Sequence, residues 1–76
     1  MQFNLTNEQK LRMLNEAKNT AHSELYLLLV KIGVNPDTFN LTDEIETDIK
    51  FAGEKIRIQG LVASLQTIEV KIQELQ

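Results

Sequence analysis

Apolar residues recur at alternating three- and four-residue steps through most of the first half of the chain, and this spacing constrains the fold most strongly. Such steps place side chains on one side of an α-helix, as in the seam of a coiled coil. The spacing predicts a first helix over residues 6–32. Its seam consists of Leu11, Leu14, Ala21, Leu25, Leu28 and Ile32, and Lys18 occupies the one polar position.

The second half carries similar spacing and predicts a helix over residues 42–75, but its apolar residues follow two registers. The five-residue step from Ile56 to Leu61 separates the registers, and Gly60 lies inside that step. We prefer one continuous helix with a local irregularity there, and a break near Gly60 is the alternative. The first register contains Ile45, Ile49, Ala52 and Ile56, and the second contains Leu61, Leu65, Ile68, Ile72 and Leu75.

Two nearly identical segments, residues 3–8 and 39–44, precede these helices, and both are interpreted as helix starts. In the first, Thr6 and Gln9 have the spacing of a capping box. Gly33 suits the end of a helix, and Pro36 suits the second position of a turn over residues 33–40. The prediction is a single all-α domain over residues 1–76, an antiparallel hairpin of two long helices that assembles into a helical bundle.

Composition excludes several functional classes. The 76 residues include no cysteine, so disulfides and thiolate metal sites are ruled out. No signal peptide or membrane span is expected, and a cytoplasmic protein is predicted. The net charge of −3 comes from the second half of the chain, and no cluster of basic residues is present to neutralise phosphates, so DNA binding is disfavoured.

The predicted helices carry more apolar surface than one hairpin can enclose. A homodimer forming a four-helix bundle is the simplest remedy, and larger oligomers are the alternative. Gly53 and Gly60 share a helix face, where a second backbone could come close or where the core simply tapers. The predicted oligomer interface consists of Leu25, Leu28, Leu29, Ile32, Gly53, Gly60, Leu61, Leu65 and Ile68.

No catalytic, cofactor-binding or metal-binding residues are predicted. His22 is the only histidine, and no carboxylate lies three or four residues from it. The acidic residues at 43, 44, 46 and 48 lack the spacing of a calcium loop and are interpreted as helix-start charges, with Glu46 four residues before Lys50. The candidate surface for a partner or ligand is a polar strip of the first helix formed by Arg12, Asn15, Lys18, Asn19, His22 and Tyr26.

The preferred functional hypothesis is a non-enzymatic protein-interaction module. It would be a small regulator or inhibitor of bacterial or phage origin, working in the host cytoplasm if phage-encoded. The first alternative is an oligomer that sequesters a nucleotide-like ligand at subunit junctions, with Arg12, Lys18, Arg57 and the strip from Asn15 to Tyr26 as the expected contacts. The second is an RNA-binding four-helix bundle, which requires a basic face on the assembled dimer.

Overall fold

The fold was analysed in a computed structural model that describes residues 4–46 and 49–76; Phe3, Thr47 and Asp48 lie outside these ranges. Helix α1 spans Asn7–Ile32. A 3₁₀ turn spans Ile49–Phe51, and helix α2 follows directly over Ala52–Leu75. The two helices pack against each other and the described residues contain no strand, which confirms the all-α helical hairpin.

Both ends of α1 are fixed by local hydrogen bonds. The predicted capping box is present, because the Gln9 amide N–H donates to Thr6 Oγ1 at 3.1 Å and the Thr6 amide N–H donates to Gln9 Oε1 at 2.9 Å. At the other end Gly33 adopts a left-handed conformation with φ of 83°. The Val34 amide N–H donates to the Leu29 carbonyl at 2.9 Å, which closes a Schellman motif.

The connection after α1 is longer than predicted. Pro36 occupies the second position of a turn in which the Thr38 amide N–H donates to the Asn35 carbonyl at 3.4 Å. A second turn follows, in which the Asn40 amide N–H donates to Asp43 Oδ2 at 2.8 Å. Residues 43–46 are not helical, so the predicted helix start at Thr42 is wrong and α2 begins at Ala52.

The late start of α2 has a physical cause. Ile45 lies three residues after Thr42, where a capping box needs Glu or Gln, and its side chain cannot accept a hydrogen bond. Ile45 is instead buried in the core. The buried core residues are Ala21, Leu25, Leu29, Ile45, Ile58 and Leu65, and half-buried Val34, Phe39 and Leu41 of the connection pack against them.

The apolar seam of α2 differs from the predicted one in its first half. Ile58 is fully buried, whereas Ile49, Ala52 and Ile56 are exposed, so the predicted first register is wrong. Three- and four-residue steps continue back from the correctly predicted second register without the five-residue interruption. The inward-facing positions are Phe51, Glu54, Ile58, Leu61, Leu65, Ile68, Ile72 and Leu75. Helix α2 passes through Gly60 unbroken, and this confirms the preferred continuous helix over the break.

The direction of packing follows from three ion pairs between the helices. As residue numbers fall along α1 they rise along α2, so the hairpin is antiparallel. The pairs are Lys31–Glu54 at 3.0 Å, Glu24–Arg57 at 3.4 Å and Lys18–Glu69 at 3.8 Å. The molecule measures 45 × 27 × 16 Å, and its smallest dimension is little more than one helix diameter of about 10–12 Å. Each helix therefore has one face toward its neighbour and one face away from it.

Candidate functional site

The polar strip predicted on α1 borders a groove at the turn end of the hairpin. His22 and Tyr26 are exposed and form one wall. Leu25 and Leu29 follow these two residues by three positions, are buried in the core and form the floor of the groove. The opposite wall consists of Pro36, Phe39 and Leu41 of the connection. The groove encloses about 270 Å³, enough for one or two side chains of a partner, and is called the His22–Tyr26 groove below.

Local hydrogen bonds within the connection fix the shape of the wall that it contributes to the groove. The Asp37 amide N–H donates to Asn35 Oδ1 at 3.0 Å, which fixes the chain around Pro36. The Asp43 amide N–H donates to the Asn40 carbonyl at 2.9 Å and closes the next turn. Phe39 and Leu41, on either side of Asn40, both pack on the core. The same segment of the connection therefore packs on the core with one side and forms the wall of the groove with the other.

The chemistry of the groove suits recognition. His22 has no carboxylate at helical spacing, and neither Asp nor Glu lines the groove. Among residues 4–46 and 49–76, no three His, Asp or Glu side chains are grouped so that they could hold a metal ion. Aromatic rings, proline and aliphatic side chains form nearly the whole lining. Such a surface can bind an apolar or aromatic side chain of another molecule.

The other members of the predicted strip are spread along α1. Asn15 and Asn19 are exposed on the same side of the helix as His22, toward its amino end. Arg12 is exposed one turn further away, and Lys18 is half-buried at the edge of the hairpin. Only His22 and Tyr26 therefore line the groove, while the two asparagines extend its polar border.

The three cations expected to hold a nucleotide-like ligand are not brought together within one chain. Lys18 Nζ lies 3.8 Å from the Glu69 carboxylate, and Arg57 lies 3.4 Å from that of Glu24. Arg12 is twelve residues from Glu24, or about 18 Å along the helix. Each paired cation is already partly neutralised, and within a single chain the three do not meet at one phosphate group.

A second cluster of charges joins the end of α1 to the start of α2. Lys31 Nζ lies 3.0 Å from Glu54 Oε1. This hydrogen bond lowers the pKa of the Glu54 carboxyl below its ordinary value, with a smaller contribution from a backbone hydrogen bond. Leu27, Leu28 and Gly53 form the floor of an open depression of about 440 Å³ between these charges and the Glu24–Arg57 pair. The ion pairs border this depression and tie the helices together.

The predicted oligomer interface divides into an inner and an outer part. Leu25, Leu29 and Leu65 are buried inside the monomer, so they are not available to a second copy in this conformation. Leu28, Ile32, Leu61 and Ile68 are half-buried along the contact between the helices. Gly53 and Gly60 are exposed, and a Cβ atom added at either one would meet nothing within 4 Å. Only the two glycines therefore lie on a free surface.

Sequence reasoning missed the contribution of the connection and of the outer face of α2. The alternation of Phe39 and Leu41 around Asn40 was a usable signal for an extended segment with one apolar side. Ile56, Ala63 and Val70 repeat every seven residues and are all exposed. This seven-residue repeat was missed because the larger apolar residues of the repeat that faces α1 dominate the pattern.

The comparisons with known proteins add no functional assignment. No protein-family model, curated protein or solved structure matches this chain. Within the described ranges, neither helix has a window long and apolar enough to cross a membrane.

Proposed function

We propose that this chain is a non-enzymatic protein-interaction module that acts as an oligomer and binds a partner protein through the His22–Tyr26 groove. The observation that carries the proposal is its excess of exposed surface. The chain exposes 5834 Å², whereas a compact monomer of 8.7 kDa exposes about 4,700 Å². The difference of about 1,100 Å² exceeds the roughly 800 Å² that each partner buries in a standard interface.

The distribution of exposed apolar side chains supports more than one contact surface. Several of them lie far apart, on different faces of both helices, and a single small partner would not cover them. Among the residues that the structure describes, the large exposed hydrophobic ones are Met13, Tyr26, Leu27, Val30, Ile49, Ile56 and Val70. Isolated exposed apolar residues are normal, but a helix face that repeats them indicates contact with another molecule.

The lining of the groove favours a protein partner over a small charged ligand. Tyrosine is enriched among the residues that dominate binding energy at protein interfaces. Tyr26 and His22 offer polar tips beside an apolar floor, and Asn15 and Asn19 add amides along the border. An aromatic or aliphatic anchor with a polar rim is the usual arrangement of such interfaces. Regulation or inhibition of the bound protein by occupying its surface is the corresponding biological role.

Solution mass tests the oligomeric part of the proposal. Light scattering and native mass spectrometry at micromolar concentration should give a multiple of 8.7 kDa with no retained small molecule. A stable, cooperatively melting monomer at that concentration would contradict the proposal. A retained nucleotide would favour the ligand-sequestering alternative, and affinity for RNA that declines steeply with salt would favour RNA binding.

Affinity capture from the source cells tests the binding surface. The wild-type protein and Met13→Ala, which truncates an exposed apolar residue away from the groove, should retain the same partner. Tyr26→Ala should reduce retention at least tenfold, because truncating a central aromatic residue commonly costs 2 kcal/mol or more. Equal retention by both variants would exclude the groove as the binding surface.

A further inference from the structure

The outer face of α2 points away from α1, although Ala63 at its edge also lines a depression with Asp43, Glu44 and Glu46 of the connection. Ile56, Ala63 and Val70 each lie two residues before an inward-facing position, which is about 200° around a helix and hence on the opposite side. Ile49 extends the series from the 3₁₀ turn and is 95% exposed, and Ile56 is 70% exposed. The positions on this outer α2 face alternate in four- and three-residue steps, and all are exposed and uncharged: Ile49, Gly53, Ile56, Gly60, Ala63, Thr67 and Val70.

The absence of charge on this face distinguishes it from an ordinary solvated surface. Residues 58–68 contain no charged side chain although α2 is the outer wall of the molecule there. A helix that is apolar on both sides belongs in a core or an interface. The alternating steps are those of a coiled-coil seam, so the matching surface is another helix. Exposed glycine at positions 53 and 60 lowers helix stability by roughly 1 kcal/mol each, a cost consistent with close approach of a second backbone.

We propose that the outer α2 face binds the same face of a second copy of this chain in antiparallel orientation. The inference rests on the proposed oligomeric function and specifies its interface and packing direction. When Gly60 is placed opposite Ala63 of the second copy, the two neighbouring layers within α2 are complementary in size, while Ile49, which precedes α2, falls opposite Glu74. Ile56 then lies opposite Thr67, and Val70 lies opposite Gly53. A two-fold axis relates the layers, so each contact occurs twice.

The antiparallel direction follows from this complementarity. In a parallel pair, identical residues meet, so Gly60 would face Gly60 and Ile56 would face Ile56. The paired glycines would leave a void and the paired isoleucines would be crowded, and both defects lower the stability of the interface. The antiparallel register instead combines a large residue with a small one in the two outer layers. It also brings Gln59 near Gln66 of the second copy, where amides can hydrogen-bond across the flank.

The depression beside Gly53 provides a receiving site for Val70 of the second copy. Its floor includes Leu27, which is 68% exposed although its neighbour Leu28 packs on the core. A valine side chain entering over Gly53 would cover Leu27 as well as the glycine. The interface would therefore reach from α2 onto α1 and bury a share of the monomer's excess exposed surface. The whole chain's excess of about 1,100 Å² over a compact monomer is larger than the roughly 800 Å² that one partner buries in a standard interface.

A charge at the centre of the face tests the interface. Ala63→Glu places two carboxylates opposite the narrowest layers and should raise the dimer dissociation constant about 100-fold or more. Ala63 is exposed in the monomer, so the variant should keep its helical circular dichroism, and Ala63→Lys should dissociate the dimer equally although it lies beside the acidic side chains of residues 43–46. Ala17→Glu makes the same change at an exposed alanine of α1 and should leave the solution mass unchanged.

A distance measurement tests the direction. The chain has no native cysteine, so Gln73→Cys allows one spin label per copy. In the antiparallel register the two labels should be about 35 Å apart by double electron–electron resonance, because 23 residues separate position 73 from its counterpart along the axis. A distance below about 15 Å would indicate parallel helices and would overturn the proposed register.

The outcomes separate this inference from the broader function. If the wild-type protein is monomeric at micromolar concentration, both are contradicted. If the wild type is oligomeric and Ala63→Glu keeps the same mass and affinity, the outer α2 face is not the interface, while the proposed oligomeric function remains. A monomeric Ala63→Glu beside an oligomeric Ala17→Glu, with the long label distance, supports the inference.

Discussion

The two Asn-Leu-Thr segments of this chain have the same residues and different structures. Thr6 caps α1 in a complete capping box, whereas Thr42 lies in a turn that is followed by non-helical chain. The difference comes from the residue three positions after each threonine. Gln9 Oε1 accepts a hydrogen bond from the Thr6 amide N–H, whereas Ile45 packs in the core.

The comparison shows that burial outweighs capping when the two compete for the same residues. A side-chain cap contributes about 1 kcal/mol, while burying an isoleucine contributes about 1.5–3 kcal/mol. An extended segment through Ile45 also carries Phe39 and Leu41 onto the hairpin. Burial of these three apolar side chains together outweighs the single cap that a longer α2 would gain, so the non-helical connection is the more stable structure.

The largest expected effect comes from giving the second segment the missing cap. Ile45→Gln supplies a capping residue but removes a buried apolar side chain, so we expect a loss of about 3 kcal/mol in the free energy of unfolding. Urea denaturation at fixed protein concentration measures it. Glu44→Gln introduces the same residue at an exposed neighbour and should change stability by less than about 0.5 kcal/mol. Unchanged stability with increased helicity in Ile45→Gln would show that capping decides the local structure.

A smaller effect is expected from removing each threonine side chain. Thr6→Ala eliminates the bond that the Gln9 amide N–H donates and should cost about 1 kcal/mol. Thr42→Ala should change stability by less than about 0.5 kcal/mol, because Thr42 is exposed and does not cap a helix. Thermal unfolding of the two variants at equal concentration measures the contrast. Equal losses would mean that Thr42 also caps a helix in solution.

For the residues directly after the two threonines we expect the opposite result, with the larger loss of stability in the second segment. Asp43→Ala removes the carboxylate that accepts the Asn40 amide N–H and should cost about 1 kcal/mol. Asn7→Ala alters the equivalent position in the first segment, which lies outside the capping box, and should have an effect of less than about 0.5 kcal/mol. Asp43→Asn retains an acceptor and should fall between them. Denaturant midpoints report all three, and a larger loss for Asn7→Ala would contradict this assignment.

The smallest expected effect concerns the start of α2, which has no side-chain cap. Glu54 lies in its first turn and its pKa is lowered by the hydrogen bond to Lys31. A lowered pKa stabilises the fold above the ordinary pKa of glutamate, and this contribution is lost as pH falls through the lowered value. The Glu54→Gln variant should therefore lose less stability than wild type between neutral pH and pH 3.

Lys31→Met provides the control for this effect. It removes the partner of Glu54 without changing the glutamate, so its pH dependence should resemble that of Glu54→Gln. The double variant should show no further change. Urea unfolding across the pH range gives the comparison, and identical profiles for wild type and Glu54→Gln would exclude a role for this pair.

Local signals predicted α1 well because each is contained within a few residues. The capping box needs only Thr6 and Gln9, and the Schellman end needs only Gly33 and its neighbours. The start of α2 was mispredicted because it depends on Ile45 meeting the distant core, which no local pattern records. The His22–Tyr26 groove was half predicted for the same reason. Its α1 wall follows from helical spacing, and its Phe39 wall follows from long-range packing.

The connection between the helices contributes side chains both to the core and to the wall of the groove. Phe39 and Leu41 shield the interior on one side and border the groove on the other. A ligand bound there would stabilise the folded state by RT ln(1 + c/Kd), where c is the free ligand concentration, so the melting temperature would rise with the logarithm of c once c exceeds Kd. Conversely, a substitution that loosens the segment would weaken affinity without touching the bound molecule. Screening for thermal shifts would therefore test the proposed binding at this groove.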